Sequence, residues 1–213
     1  MKRVLPPLVL LFLAPAVSQL LSNELAPASF FTAFGLTILP LFYGGGAILA
    51  REMVKRWHKG WASLLLLGAV YGIIREGLML KSFFDPFWQD IDVLGYYGRW
   101  AGINWVWSFE RVIYHSVISI GIPVLLTEIM FPSFRNKAWL GKWVSIVLAI
   151  IFVMNIVFGY FFGTDYQPGA VQYWLTAAAA AVLFVAAWRV PGEIGKGKDM
   201  RVMPPVLFWF IGF

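Results

Sequence analysis

The chain has 213 residues, of which 60% are hydrophobic and 13% charged, and it carries a net charge of +6. A soluble domain carries about 25% charged residues, so this composition excludes an ordinary soluble protein, and the apolar residues fall in blocks long enough to cross a bilayer. The positive charge does not point to nucleic acid, because the basic residues sit in short loops between those blocks, and the absence of cysteine excludes disulfides, thiolate metal sites and a cysteine nucleophile.

Taken in chain order, the apolar blocks predict an all-α, polytopic transmembrane helical bundle, a single domain over 1–213, with six full spans and the start of a seventh. The spans are expected near 4–21, 29–50, 61–80, 104–130, 139–163 and 170–188. The first block opens Met1-Lys2-Arg3 and contains Ala14-Pro15-Ala16. That pattern fits a secretory signal with a small-residue cleavage site, or an uncleaved span broken by Pro15; the short link to the next block favours the uncleaved span. After Met203 only ten residues follow, about half a crossing, so 204–213 is read as a truncated seventh span. Arg201-Val202-Met203-Pro204-Pro205 echoes Arg3-Val4-Leu5-Pro6-Pro7. A parallel repeat is one reading, and the preference of proline for the first helical turn is the simpler one.

The basic residues orient the bundle. Lys2 and Arg3; Arg51, Lys55, Arg56 and Lys59; Arg135, Lys137 and Lys142; and Arg189, Lys196, Lys198 and Arg201 make 13 of the 17 lysines and arginines. All lie in alternate loops, whereas the intervening loops hold only Lys81 and Arg99. The positive-inside rule then places the N-terminus in the cytoplasm and makes 81–103 an external loop.

Two charged pairs interrupt spans. Arg75-Glu76 lies in the third, and Glu110-Arg111 lies near the start of the fourth, with His115 one turn further on. Ionisable groups at membrane depth cost roughly 2.5–3.5 kcal/mol each on insertion scales and persist where they pair or line a wet cavity. Span three runs outward, so Arg75 and Glu76 lie about 20–24 Å along it at 1.5 Å per residue. Span four runs inward, which places its pair at a similar depth. Arg75 is therefore expected to pair with Glu110, and Glu76 with Arg111. Arg111, His115 and Ser119 share a helical face, and Tyr114 follows Glu110 by four residues. Span one ends at the same level with Ser18, Gln19, Asn23 and Glu24. The expectation is a polar pocket open to the outside, walled by spans one, three and four. Arg75, Glu76, Glu110, Arg111, Tyr114 and His115 would contact its ligand. A metal needs three or four ligands. Glu76, Glu110 and His115 supply three, but the two arginines oppose a cation, so neither metal nor cofactor is expected. Helix-to-helix glue is the structural alternative.

The 81–103 loop is rich in aromatics. Its Trp88, Tyr96, Tyr97, Arg99 and Trp100 are candidates for a lid over the pocket, and headgroup-level anchoring accounts for the same composition. Tyr43-Gly44-Gly45-Gly46 and the alanine run 177–181 are read as close-packing surfaces, and Arg51 to Lys59 as a solvated connector facing anionic lipid. Glu128 is expected to meet Arg135 or Lys137.

Tyr43-Gly44-Gly45-Gly46, Gly60-Trp61, Glu76-Gly77, Tyr114-His115 and Glu128-Ile129-Met130-Phe131-Pro132 resemble a functionally unassigned family of prokaryotic multi-span membrane proteins, over roughly 14–141. The resemblance implies the cytoplasmic membrane of a prokaryote. In part the chain is also similar to the CAAX-protease and bacteriocin-processing membrane proteases, whose pattern is Glu-Glu-x-x-x-Arg, Phe-x-x-x-His and His-x-x-x-Asn. Only Glu76 and His115 match it. Arg75, Leu80 and Arg111 stand where that family has Glu, Arg and Phe, and no histidine follows His115.

Three functions follow from these readings. The first is binding or transport of a small polar or amphiphilic ligand, anionic or lipid, between spans three and four. The second is an intramembrane hydrolase using Glu76 and His115. The third is a non-catalytic assembly subunit. The bilayer is the expected partner, nucleic acid is not, and an oligomer or a partner subunit is compatible with the sequence.

Overall fold

Within a bilayer every backbone donor and acceptor must be satisfied inside the segment, so long apolar runs become helices. The computed structural model describes residues 4–89 and 91–194 and is all-helical apart from one short hairpin. Its long helices are α1 (Leu5–Leu21), α2 (Ala33–Arg56), α3 (Trp61–Met79), α4 (Trp105–Met130), α5 (Lys142–Phe162) and α6 (Ala170–Arg189). Helices α2 to α6 are long and apolar enough to cross a membrane, and α1 is shorter. The expected seventh span from Pro204 lies outside the described residues.

Successive helices alternate in direction. The start of α4 meets the end of α1, where Arg111 contacts Glu24 at 3.0 Å. The end of α4 meets the end of α2, where Glu128 contacts Arg51 at 2.9 Å. Lys81, just beyond α3, donates to the Tyr160 carbonyl near the end of α5 at 3.0 Å. Desolvation holds the Lys81 ammonium below the ordinary lysine pKa, and Asp165 partly offsets this.

Lipid is as apolar as leucine, so helices associate through small residues that let backbones approach. A side chain at Gly44 would meet the Leu11 backbone at 2.1 Å, which locks α2 onto α1. Side chains at Gly68 and Gly72 would meet the α4 backbone at Ser116 and Val112, and Ser116 donates across the seam to the Leu65 carbonyl at 2.7 Å. Leu10, Ala14 and Ser18 bury one face of α1 against the bundle, while Leu8, Phe12 and Leu21 on the other face stay exposed. By contrast, α5 has no buried residue and forms the periphery. Of the alanine run 177–181 only Ala180 is buried.

The basic end corrects one expectation. Helix α2 continues to Arg56 rather than stopping near 50, and Arg51 is fully buried instead of facing lipid. Its guanidinium reaches Glu128 at 2.9 Å and the carbonyls of Phe134, Arg135 and Lys137 at 3.1, 2.9 and 3.2 Å. It also stacks 3.3 Å from the Trp139 ring centroid. Glu52 accepts from the Trp139 backbone at 2.6 Å. Glu128 meets Arg135 at 3.6 Å as expected, but its shorter contacts, both at 2.9 Å, are Arg51 and Lys55. The reason is geometric: a planar guanidinium with five fixed donors can gather carbonyls of an irregular loop that no helix satisfies.

At the opposite end, residues 81–104 fold into a packed cap. β1 (Arg99–Trp100) pairs antiparallel with β2 (Ile103–Asn104). The turn needs Ala101 and Gly102 at positive φ, 52° and 80°. Buried Asn104 accepts from the Trp107 backbone at 3.0 Å, capping α4, while its amide donates to the Leu94 carbonyl.

Candidate functional site

Four stretches of these helices are π-helical: Ala16–Leu21, Pro40–Gly44, Ile73–Met79 and His115–Gly121. Such wide turns are rare and favour functional positions. All four converge on one polar cluster inside the bundle, contributing Ser18 and Gln19, Tyr43, Arg75 and Glu76, and His115 and Ser119.

Glu76 and His115 are its centre. Glu76 is 2% exposed and His115 is wholly buried. His115 Nε2 lies 3.1 Å from Glu76 Oε1, and Nδ1 lies 2.8 Å from Ser119 Oγ. The network assigns the proton to Nε2, donating to the carboxylate, with Nδ1 accepting from Ser119. Arg75 Nη1 also donates to Glu76 Oε1 and sits 3.3 Å from His115 Nε2. The second carboxylate oxygen accepts from Ser82 Oγ at 2.6 Å, and Ser82 in turn accepts from the Trp107 indole at 3.1 Å. The rings of Tyr43, Tyr71 and Tyr114 surround the imidazole, with centroids at 6.3, 5.6 and 5.2 Å. Gln19 donates to the Tyr43 hydroxyl at 2.8 Å, tying in α1.

The expected cross-pairing is not the one found. Arg75 pairs with its own neighbour Glu76. Adjacent residues diverge on an α-helix, but here the backbone runs in wide i-to-i+5 turns, as the Leu80 amide bond to the Arg75 carbonyl at 2.8 Å shows. Arg111 pairs with Glu110 at 2.6 Å and Glu24 at 3.0 Å, and its guanidinium lies over Trp107 at 4.2 Å. Tyr114 donates to the Ser18 carbonyl at 2.6 Å. The two charged pairs therefore form two neighbouring clusters, not one.

The expected pocket between spans three and four is also closed, because Gly68 and Gly72 bring α3 and α4 into backbone contact there. The cavity that touches the cluster lies on the other side of α3. It has a volume of about 210 Å³ between α2, α3 and α5, and Ile38, Tyr43, Arg75, Met79, Asn155 and Phe158 are among its lining. Nor do the expected lid residues reach it. Tyr96 and Tyr97 are exposed, Trp88 packs on the Phe83 and Phe84 core, and Arg99 donates to the Phe84 and Gly102 carbonyls. Trp100 lines a separate apolar cleft of about 550 Å³ between α4, α6 and the hairpin. The groups that cover Glu76 are Ser82 and Trp107.

Ser82, Tyr43 and Tyr71 carry no signal in the sequence as site residues. Ser82 lies just past a span, and the two tyrosines read as ordinary packing aromatics. The recurrence of polar residues beside glycine in apolar helices was the available clue. Chemically, the Glu76 carboxylate accepts three hydrogen bonds: one oxygen serves Arg75 and His115, and the other serves Ser82. Among the described residues no cluster of three His, Asp or Glu side chains could hold a metal ion.

A bundle of apolar helices around a buried Arg–Glu–His cluster defines a multi-helix integral membrane protein. The model of an uncharacterized membrane protein family matches residues 8–209, and the chain belongs to that family. An uncharacterized protein of Archaeoglobus fulgidus is 26% identical over 124 residues, covering 57% of this chain and 37% of the relative's length. No solved structure matches the chain.

Proposed function

We propose that this protein binds or transports a small polar or amphiphilic ligand at Arg75, reached through the cavity between α2, α3 and α5. The observation that carries this reading is Arg75 itself. Its hydrogen bond to Glu76 leaves from Nη1, while Nε is buried without a hydrogen-bond partner among the described residues. A buried guanidinium keeps donors in a fixed fork suited to carboxylate or phosphate. Glu76 holds that fork in place, and His115 fixes Glu76. A map at high resolution of the protein purified from its membranes, with nothing added, tests the reading. Density against Arg75 in the cavity is expected; a cavity filled only by protein side chains would end the proposal.

The proposal includes the setting: the cytoplasmic membrane of a prokaryote, α1 as a sixth crossing, the N-terminus inside and 81–103 outside. The archaeal relative supports the first, the burial of one face of α1 against the bundle supports the second, and the basic loops at the opposite end support the orientation. The chain has no native cysteine, so single-cysteine labelling is direct. A cysteine at Gln89 should react with an impermeant maleimide in intact cells. One at Lys137 should react only after permeabilisation, and the reverse pattern would invert the topology.

A further inference from the structure

The cavity at Arg75 has a chemical character that narrows its ligand. Apart from Arg75, Tyr43 and Asn155 its walls are apolar. On the basic side it is shut by Phe42 and Phe152, which stack with centroids 5.4 Å apart. Towards the 81–103 end, Gly159 and Gly163 hold α5 against Met79 and Leu80 at the end of α3, and Phe34, Phe158 and Phe162 on the cavity's rim are 62%, 49% and 75% exposed. The mouth is thus rimmed by phenylalanine and faces sideways between α2 and α5, where the bilayer would be. Arg75 lies four residues from the end of α3, within its last π-helical turn, close to headgroup level. The volume of about 210 Å³ is below the roughly 300–1,000 Å³ of pockets that enclose a whole drug-sized ligand. It admits a headgroup and the adjoining part of one chain, not an entire lipid.

We infer that the occupant is an anionic membrane lipid that enters laterally from the leaflet nearer the 81–103 loop, its phosphate or carboxylate on Arg75 and its chain leaving between α2 and α5. This rests on the reading of the cavity as a binding site and adds the ligand's class and route. A soluble polar metabolite would have to cross the phenylalanine rim, and an uncharged chain would leave the Arg75 donors unmet. Glu76 neutralises only the Nη1 side of the guanidinium, so the anion would meet the remaining edge.

The test uses the full chain in a neutral detergent, mixed with equimolar phosphatidylglycerol and phosphatidylcholine of identical chains, with bound lipid counted by native mass spectrometry. Severalfold preference for phosphatidylglycerol is expected, and Arg75→Gln should abolish the preference. Ile38→Trp, which fills the cavity while leaving the Arg75–Glu76–His115 network untouched, should lower occupancy by both lipids; it carries the test if Arg75→Gln does not fold. An excess of inorganic phosphate should not displace the lipid. If phosphate binds or displaces in an Arg75-dependent way with no lipid preference, the lipid inference falls and the binding site stands. If no species responds to Arg75→Gln or Ile38→Trp, both fall.

Discussion

Glu76→Ala is expected to destabilise the purified protein by about 3–5 kcal/mol, because it strands a guanidinium only 18% exposed and leaves the wholly buried His115 without its acceptor. The substitution removes the partner of Arg75, of His115 and of Ser82 in one step. A denaturant titration in mild detergent measures it, and a loss below about 1 kcal/mol, the range of an exposed ion pair, would overturn this account of the cluster. A paired replacement separates architecture from function. Arg75→Met with Glu76→Leu removes both charges at similar volume, a change that in other proteins is often neutral or stabilising. The double variant should therefore recover most of the stability lost by Glu76→Ala, and it should still lose the ligand density at Arg75. Recovery of stability with ligand retained would make the charges helix glue and nothing more.

The second large effect is expected at the basic end. Arg51→Ala should cost about 3–5 kcal/mol, since Glu128 is 3% exposed and would keep only Lys55 and the longer contact to Arg135. Segment 131–141 should lose protection in hydrogen exchange, because three of its carbonyls are held by this one side chain. Arg51→Lys should rescue little: an ammonium keeps the charge but cannot span Glu128 and three carbonyls while stacking on Trp139. Unchanged exchange in 131–141 on Arg51→Ala would show that the loop holds itself.

Much of this protein was legible in its residues, and the limits have physical causes. Span boundaries and helical rise put Glu76 and His115 at one level along their helices, and the two side chains do meet across α3 and α4. Residue spacing presumes regular α-helical geometry and so gives Arg75 a partner on the next span, whereas the π-helical turns of Ile73–Met79 turn it onto its neighbour Glu76. The length and aromatic content of the 81–103 loop are plain in the residues. Which of its residues would point inward was not recoverable, since Ser82 and Phe83 pack under the cap while Tyr96 and Tyr97 stay outside.

By itself the sequence determined what the bilayer dictates: apolar blocks become helices because no other structure satisfies the backbone there, and their basic loops alternate. Glycines within those blocks marked where helices could touch. It also determined that a few ionisable groups lie where they are costly. Only the tertiary structure decided which side of α3 is closed and which is open. Gly68 and Gly72 draw α4 against one face, and the cavity between α2, α3 and α5 lies on the other. Likewise, Arg51 is a surface residue by sequence and a core residue by structure, because its value lies in loop carbonyls more than 80 positions away, which no local pattern encodes.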